Sequence, residues 1–246
     1  MAAPSFRTFS LSDVIQLGTQ LRSCADGATT SESAGRAVVR CVHDAFVDES
    51  GLRETVLVRY YQTMPYDDLD AELQAFASAQ LTEDPWPGLP CLTLLGTAGI
   101  EPVWNDRRAS QGHRAIPLPS TEAVAKSPMI AQLISQLGLE LTSLISPDPD
   151  LIVDLDQKQY NVFHVAVALG SPHIPAQDAF VVPYGVRSAL GFGGMLPSGD
   201  MFAVVLFSRV PIARESADLF RTVALSVKVG MLPVMGRLFD RADDPA

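Results

Sequence analysis

The stretch from Phe180 to Leu232 constrains this chain most, because it sets extended runs and one helix in immediate succession. Phe180-Val-Val182 reads as a short strand and Gly185 to Met195 as a glycine-rich strand. Pro197-Ser-Gly-Asp200 reads as a turn, and Met201 to Ser208 as an apolar strand. Gly199 sits where the turn tolerates a positive φ, so the two longer runs are predicted to pair as a hairpin. Beyond Pro211, Leu219, Phe220, Val223, Ala224 and Val227 form one apolar stripe at helical spacing within Glu215 to Leu232. The closing segment is therefore expected to fold as a sheet edge and a covering helix that enclose a hollow.

Upstream, Leu11, Val14, Ile15, Leu17 and Leu21 carry a helical period, with Ser10 or Ser12 placed to cap it. A second amphipathic segment runs from Ala34 to Phe46. Glu54 to Tyr61 is rich in β-branched and aromatic residues and closes at Met64-Pro65, which predicts a first strand. Leu69 to Leu81 reads as a short helix, broken by the prolines from Pro85 onward. A strand is expected at Cys91 to Gly96, with a turn at Ala98-Gly99. Glu101 to Pro119 reads as irregular, Met129 to Ile145 as a helix and Tyr160 to Val167 as a strand.

At 246 residues, with 47% apolar and 19% charged residues, the chain can bury one sizeable core, and one domain with a helical extension is expected. A net charge of −10 with scattered basic residues excludes a cationic track for nucleic acid. Apolar runs such as Met201 to Phe207 fall far short of the roughly 20 residues a spanning helix needs. With no signal-type N-terminus, a cytoplasmic protein with no membrane partner is expected. Cys24, Cys41 and Cys91 have no C-x-x-C spacing, which argues for reduced thiols over disulfides or a structural zinc site. G-x-S-x-G, H-E-x-x-H and G-x-x-x-x-G-K-[ST] are all missing, and the glycines of Gly191-Phe-Gly-Gly194 precede a hairpin rather than a helix.

The run Gly185-Val-Arg-Ser-Ala-Leu-Gly-Phe-Gly-Gly194, followed by the Pro197 turn, the apolar strand and the helix to Val227, resembles the closing half of a GAF domain. That resemblance implies an α/β (α+β) fold with a central antiparallel sheet and flanking N- and C-terminal helices. Residues 31–232 would form the sensor domain, 1–30 a helical extension and 233–246 a tail. It further implies a ligand pocket between the sheet and the segments Glu101 to Pro119 and Asp148 to Asp178. The candidate lining is Trp104, Arg107, His113, Tyr160, His164, Tyr184 and Arg187, with Arg108 and His173 nearby. Each residue also has a structural reading. His164 suits a core histidine bonded to backbone, His113 and His173 suit loops, and Arg187 suits either an anionic ligand group or a salt bridge. Asp106, Arg107 and Arg108 suit an ion cluster.

The resemblance implies a sensing or regulatory module that binds a small molecule and signals through its terminal helices to a partner, most simply as a homodimer. No output domain is expected after Pro233 and Gly236, and the sequence specifies no cofactor. Two alternatives come with the family: a thiol reductase acting on free methionine sulfoxide, and a haem or chromophore sensor. Covalent bilin attachment needs a cysteine followed directly by histidine, and Cys41-Val42-His43 is one residue off. The asparagine-lysine-phenylalanine-aspartate-glutamate signature of cyclic-nucleotide-binding relatives is absent.

Overall fold

The computed structural model describes residues 3–137 and 161–240. Helix α1 (Leu11–Ser23) starts where Asp13 Oδ2 accepts from the Ser10 backbone N–H at 2.9 Å. Helix α2 (Ser31–Ala45) is capped by Thr30 Oγ1, which accepts from the Ser33 N–H at 3.0 Å. Strands β1 (Thr55–Pro65), β2 (Pro90–Gly99), β3 (Ala115–Pro117), β4 (Phe163–Val165), β5 (Ser188–Met195) and β6 (Met201–Ser208) form one sheet. Its order is β3-β2-β1-β6-β5-β4, with every neighbouring pair antiparallel. Short helices α3 (Ala71–Ser78), α4 (Thr121–Ala125) and α5 (Pro128–Gln136) join the strands, and α6 (Arg214–Asp218) leads into α7 (Phe220–Met231). The architecture is the α+β one expected: a central antiparallel sheet flanked by N- and C-terminal helices.

The period-2 alternation of the strands sorts their side chains into two cores. Val58, Tyr60 and Met64 of β1, Phe192 of β5 and Val204 of β6 pack toward the terminal helices. Leu57 and Tyr61 of β1 join Leu94 of β2, Ala189 of β5, and Val205 and Phe207 of β6 on the opposite face. On the helix face α2 lies almost on the backbone of β2: a Cβ on Gly96 would meet the Gly35 carbonyl oxygen at 2.5 Å. Helices α1 and α7 cross as closely, since a Cβ on Gly230 would meet the Leu21 oxygen at 2.6 Å. Phe6 stacks on Phe46 at 3.9 Å and Phe9 on Phe220 at 4.8 Å. Buried Glu54 holds this N-terminal segment by accepting from Ser5 Oγ at 2.6 Å and the Phe6 N–H at 2.7 Å. At the other end of the chain, the Ser31 and Glu32 N–H groups donate to the carbonyls of Arg237 and Leu238 at 2.7 and 2.9 Å.

Several sequence expectations are corrected. Phe180-Val-Val182 is no strand: Gln177–Val181 forms a π-helical turn, because the Val181 and Val182 N–H groups bond back to Ala176 and Gln177 at 3.1 and 2.9 Å. The glycine-rich strand begins at Ser188 rather than Gly185, whose φ of +64° lies outside the sheet conformation. The turn expected at Ala98-Gly99 is sheet, with Val58 opposite Ala98 and Leu57 opposite Gly99. Residues 101–119 are not wholly irregular, for they hold two 3₁₀ turns, Pro102–Asn105 and Arg107–Ala109, and strand β3. Strand β1 runs on to Pro65, which faces Pro90, so neither residue has an N–H to donate and the ladder ends there. The closing helix divides at Leu219. The expected helix Met129 to Ile145 is α5 up to Gln136, and its part beyond residue 137 lies outside the described residues, as does Tyr160.

Candidate functional site

The face of the sheet away from the terminal helices bears a hollow of about 350 Å³. Alternation along two adjacent strands builds its floor: Leu57, Arg59 and Tyr61 from β1, and Val205 and Phe207 from β6. Trp104 forms a wall. Its backbone sits in the 3₁₀ turn pinned by Asn105, whose Nδ2 donates to Gly99 O and Glu101 O, both at 3.0 Å. The ring lies so close to β2 that a Cβ on Gly99 would meet its Cε3 at 2.8 Å. Phe180 from the π-helical turn extends the wall, 5.6 Å from Trp104 and 5.0 Å from Phe207 between ring centres. Lys126 to Ile130, at the junction of α4 and α5, and Ile174 to Ala176 close the top. The Lys126 and Ser127 N–H groups set that junction by donating to the Ala123 and Val124 carbonyls at 3.2 and 2.9 Å.

Arg59 is the polar centre of the floor. Its Nη1 donates to Tyr61 Oη at 3.3 Å and its Nη2 to Ser110 Oγ at 3.1 Å. Its Nε is buried with no hydrogen-bond partner among the described residues. His113 lines the hollow with a φ of +58°, a left-handed conformation uncommon for a residue with a side chain. The residue as a whole is exposed, yet its pKa lies below the ordinary imidazole value, through desolvation first and the Arg59 charge second, which favours a neutral ring.

The other candidates are distributed around this hollow. Tyr184 buttresses its wall, 4.6 Å from Trp104 between ring centres. Arg107 is buried toward α2, where its Nε donates to Glu32 Oε1 at 2.6 Å and its guanidinium lies 5.2 Å from the Phe239 ring centre. His164 alternates with Phe163 and Val165, which face the hollow-side core, so its ring turns the other way and bonds the Ile212 carbonyl at 2.9 Å. Burial lowers its pKa. Arg187 is exposed just ahead of β5, Arg108 is exposed, and His173 is half-buried outside the lining. The structure thus brings Trp104, His113 and, behind them, Tyr184 together, and adds Arg59. The sequence signal for Arg59 was a lone arginine alternating with Leu57 and Tyr61 in an otherwise apolar strand.

The thiols lie elsewhere. Cys24 and Cys41 are free thiols where the end of α1 meets α2, and a hydrogen bond between them raises the Cys24 pKa and lowers that of Cys41. Burial pushes Cys91 up to about 12. Among the described residues no group of three His, Cys, Asp or Glu side chains could hold a metal ion, and no helix is long and apolar enough to cross a membrane.

No family model and no curated protein matches the chain. Solved structures similar to it include the free methionine-R-sulfoxide reductase from Neisseria meningitidis in complex with its substrate. That match has 11% identity and a TM-score of 0.43 over 95% of this chain and 100% of the other. The phycocyanobilin-bound GAF domain of a cyanobacterial phytochrome is 10% identical with a TM-score of 0.41, over 89% of this chain and 96% of that one. The N-acylhomoserine lactone dependent LuxR-family transcription factor CepR2 from Burkholderia cenocepacia is 14% identical with a TM-score of 0.39, over 94% and 99%. At these values the likeness extends no further than general layout.

Proposed function

We propose that the chain is a small-ligand sensing or regulatory domain whose ligand occupies the hollow beneath Trp104. The observation that carries this reading is the division of labour across one sheet. One face bears a hollow of about 350 Å³, within the range of small-molecule sites. The other bears α1 and α7, the helices through which a signal would leave. Leu11 and Ile15 on α1, 68% and 70% exposed, and Leu225 and Val229 on α7, 58% and 47% exposed, offer apolar pairs at i, i+4 spacing to a second copy or another signalling protein. Three thiols free of disulfides are in keeping with a reducing cytoplasm. Ligand binding would shift the terminal helices only if the two arrangements bind the ligand with different affinities.

Native mass spectrometry of the purified protein, joined to hydrogen exchange before and after removal of any retained small molecule, tests this. A retained mass whose removal speeds exchange in β1, the Trp104 turn and α7 is the expected result. Unchanged exchange throughout, with no small molecule bound from any library tried, would sink it.

A reductase reading draws support from the Cys24–Cys41 thiol pair, which could cycle to a disulfide. That pair belongs to the core on the helix side of the sheet, away from the hollow. Turnover of free methionine sulfoxide with a thiol reductant, abolished by Cys41→Ser, would favour this reading instead.

A further inference from the structure

Among the described residues the hollow is lined by Arg59, His113 and Lys126 and by no aspartate or glutamate, in a chain whose net charge is −10. Such a lining is unusual for an acidic protein, and Arg59 sharpens the contrast. The deeply placed guanidiniums of Arg107 and Arg114 are neutralised by Glu32 at 2.6 Å and by Glu72 at 2.8 Å. Arg59 enters no ion pair among the described residues. Its two terminal nitrogens rest on neutral hydroxyls, which orient it without neutralising it, and its buried Nε–H finds no acceptor. A half-buried cation with no counter-charge is costly unless an anion completes it.

We infer that the hollow takes a small organic carboxylate, held by the guanidinium of Arg59, whose apolar body lies against Trp104 and Phe180. This rests on reading the hollow as a ligand site. The geometry supplies both halves of the ligand. The two terminal nitrogens, each keeping a hydrogen beyond the one given to Tyr61 Oη or Ser110 Oγ, form the parallel pair of donors that matches two carboxylate oxygens. One guanidinium neutralises one negative charge, which fits a monoanionic carboxylate better than a doubly charged phosphate. The rest of the floor and walls, Leu57, Phe207, Trp104 and Phe180, is apolar or aromatic. With His113 held neutral and Lys126 exposed at the top, Arg59 is the charge set into the floor that selects.

The test pairs acids with their uncharged isosteres: phenylacetate with phenylacetamide, indole-3-acetate with indole-3-acetamide, and octanoate with octanamide. Phenyl phosphate serves as a further anion. Binding is read by calorimetry and by Trp104 fluorescence, using Trp104→Phe to subtract the second tryptophan, Trp86. At least one acid is expected to bind about tenfold or more tighter than its amide, the scale of a hydrogen bond to a charged group. Arg59→Gln should erase that preference while leaving amide affinity within about threefold, and Arg59→Lys should restore part of it. Circular dichroism confirms that both variants fold, and the wild-type comparison stands even if one does not. Equal binding of acids and amides, or a preference for phenyl phosphate over every carboxylate, overturns the inference and leaves the ligand site intact. Failure of acids, amides and phosphate alike counts against the site itself.

Discussion

The two faces of the sheet are made from the same strands yet are packed to different standards. On the helix side, backbone approaches backbone at Gly35 and Gly96, rings stack as close as 3.9 Å, and Phe46, Phe192 and Phe220 are fully buried. On the other side, the residues that alternate with these leave about 350 Å³ unfilled, with a half-buried arginine at its base. Protein interiors are close-packed as a rule, and a hollow kept open beside a filled core is the contrast on which the proposed ligand site rests. Substitutions matched across the sheet should separate stability from function.

The largest contrast is expected for aromatics. Phe46→Ala empties the middle of the Phe6, Phe9 and Phe220 stack and should destabilise the fold by about 3–5 kcal/mol in urea unfolding. Phe180→Ala enlarges a space already open and should cost about 1 kcal/mol. Equal losses would mean that the hollow's walls are a structural core like the other.

Glycines give the next contrast. Gly96→Ala places its Cβ against the Gly35 backbone, which cannot yield, and should cost up to about 3 kcal/mol. Gly191→Ala on the opposite face meets Leu133 Cδ1 at 2.7 Å, the end of a side chain that can rotate, and should cost less than about 1 kcal/mol. Thermal unfolding of both variants decides the point, and an inverted ranking would refute the account of α2 packing.

Which parts of this arrangement could be read from the sequence follows from how far each depends on local pattern. The hairpin of β5 and β6 was legible because eight-residue apolar runs flank a Gly199 turn whose φ is +87°. Helices α1 and α2 were legible from their stripes. Strand β3 was not, since Ala115-Ile-Pro117 is too short and too proline-marked to signal a strand without its partner β2. The Phe180 run misled because Gln177 ties its own loop together, donating from Nε2 to the Ile174 carbonyl at 2.6 Å. For the site, residue chemistry in a polar loop was enough to single out Trp104 and His113. Arg59 was passed over because it sat in a strand, where the parity with Leu57 and Tyr61 was the clue. The same parity separates His164 from the hollow-side core to which Phe163 and Val165 belong.

A pH profile probes the filled face further. Burial lowers His43, bonded through Nδ1 to Thr55 Oγ1 at 2.7 Å, from 6.5 to about 4. Between those values the unfolded chain binds a proton that the folded chain refuses, so stability is complete above about pH 6.5 and falls as the pH drops toward 4. The loss from this group should be about 3 kcal/mol, and His43→Gln should flatten the slope of melting temperature against pH. A slope unchanged by the substitution would show that His43 is not what the acid attacks.

The smallest expected effect is the most informative about the hollow. Arg59 gives the ligand-free protein two bonds to neutral hydroxyls and takes from it the hydration of a charge. Replacing a buried ionic group with an apolar one of similar reach is often neutral or stabilising, and residues kept for binding commonly hold stability below its maximum. Arg59→Leu should therefore leave the stability of the ligand-free protein unchanged or raise it by no more than about 1 kcal/mol, while Arg107→Leu, which strands Glu32, should lower it by about 3 kcal/mol or more. A loss of more than about 2 kcal/mol at Arg59 would assign that guanidinium to the structure instead of to the ligand. The two arginines, one on each side of the sheet, would then be doing the same work.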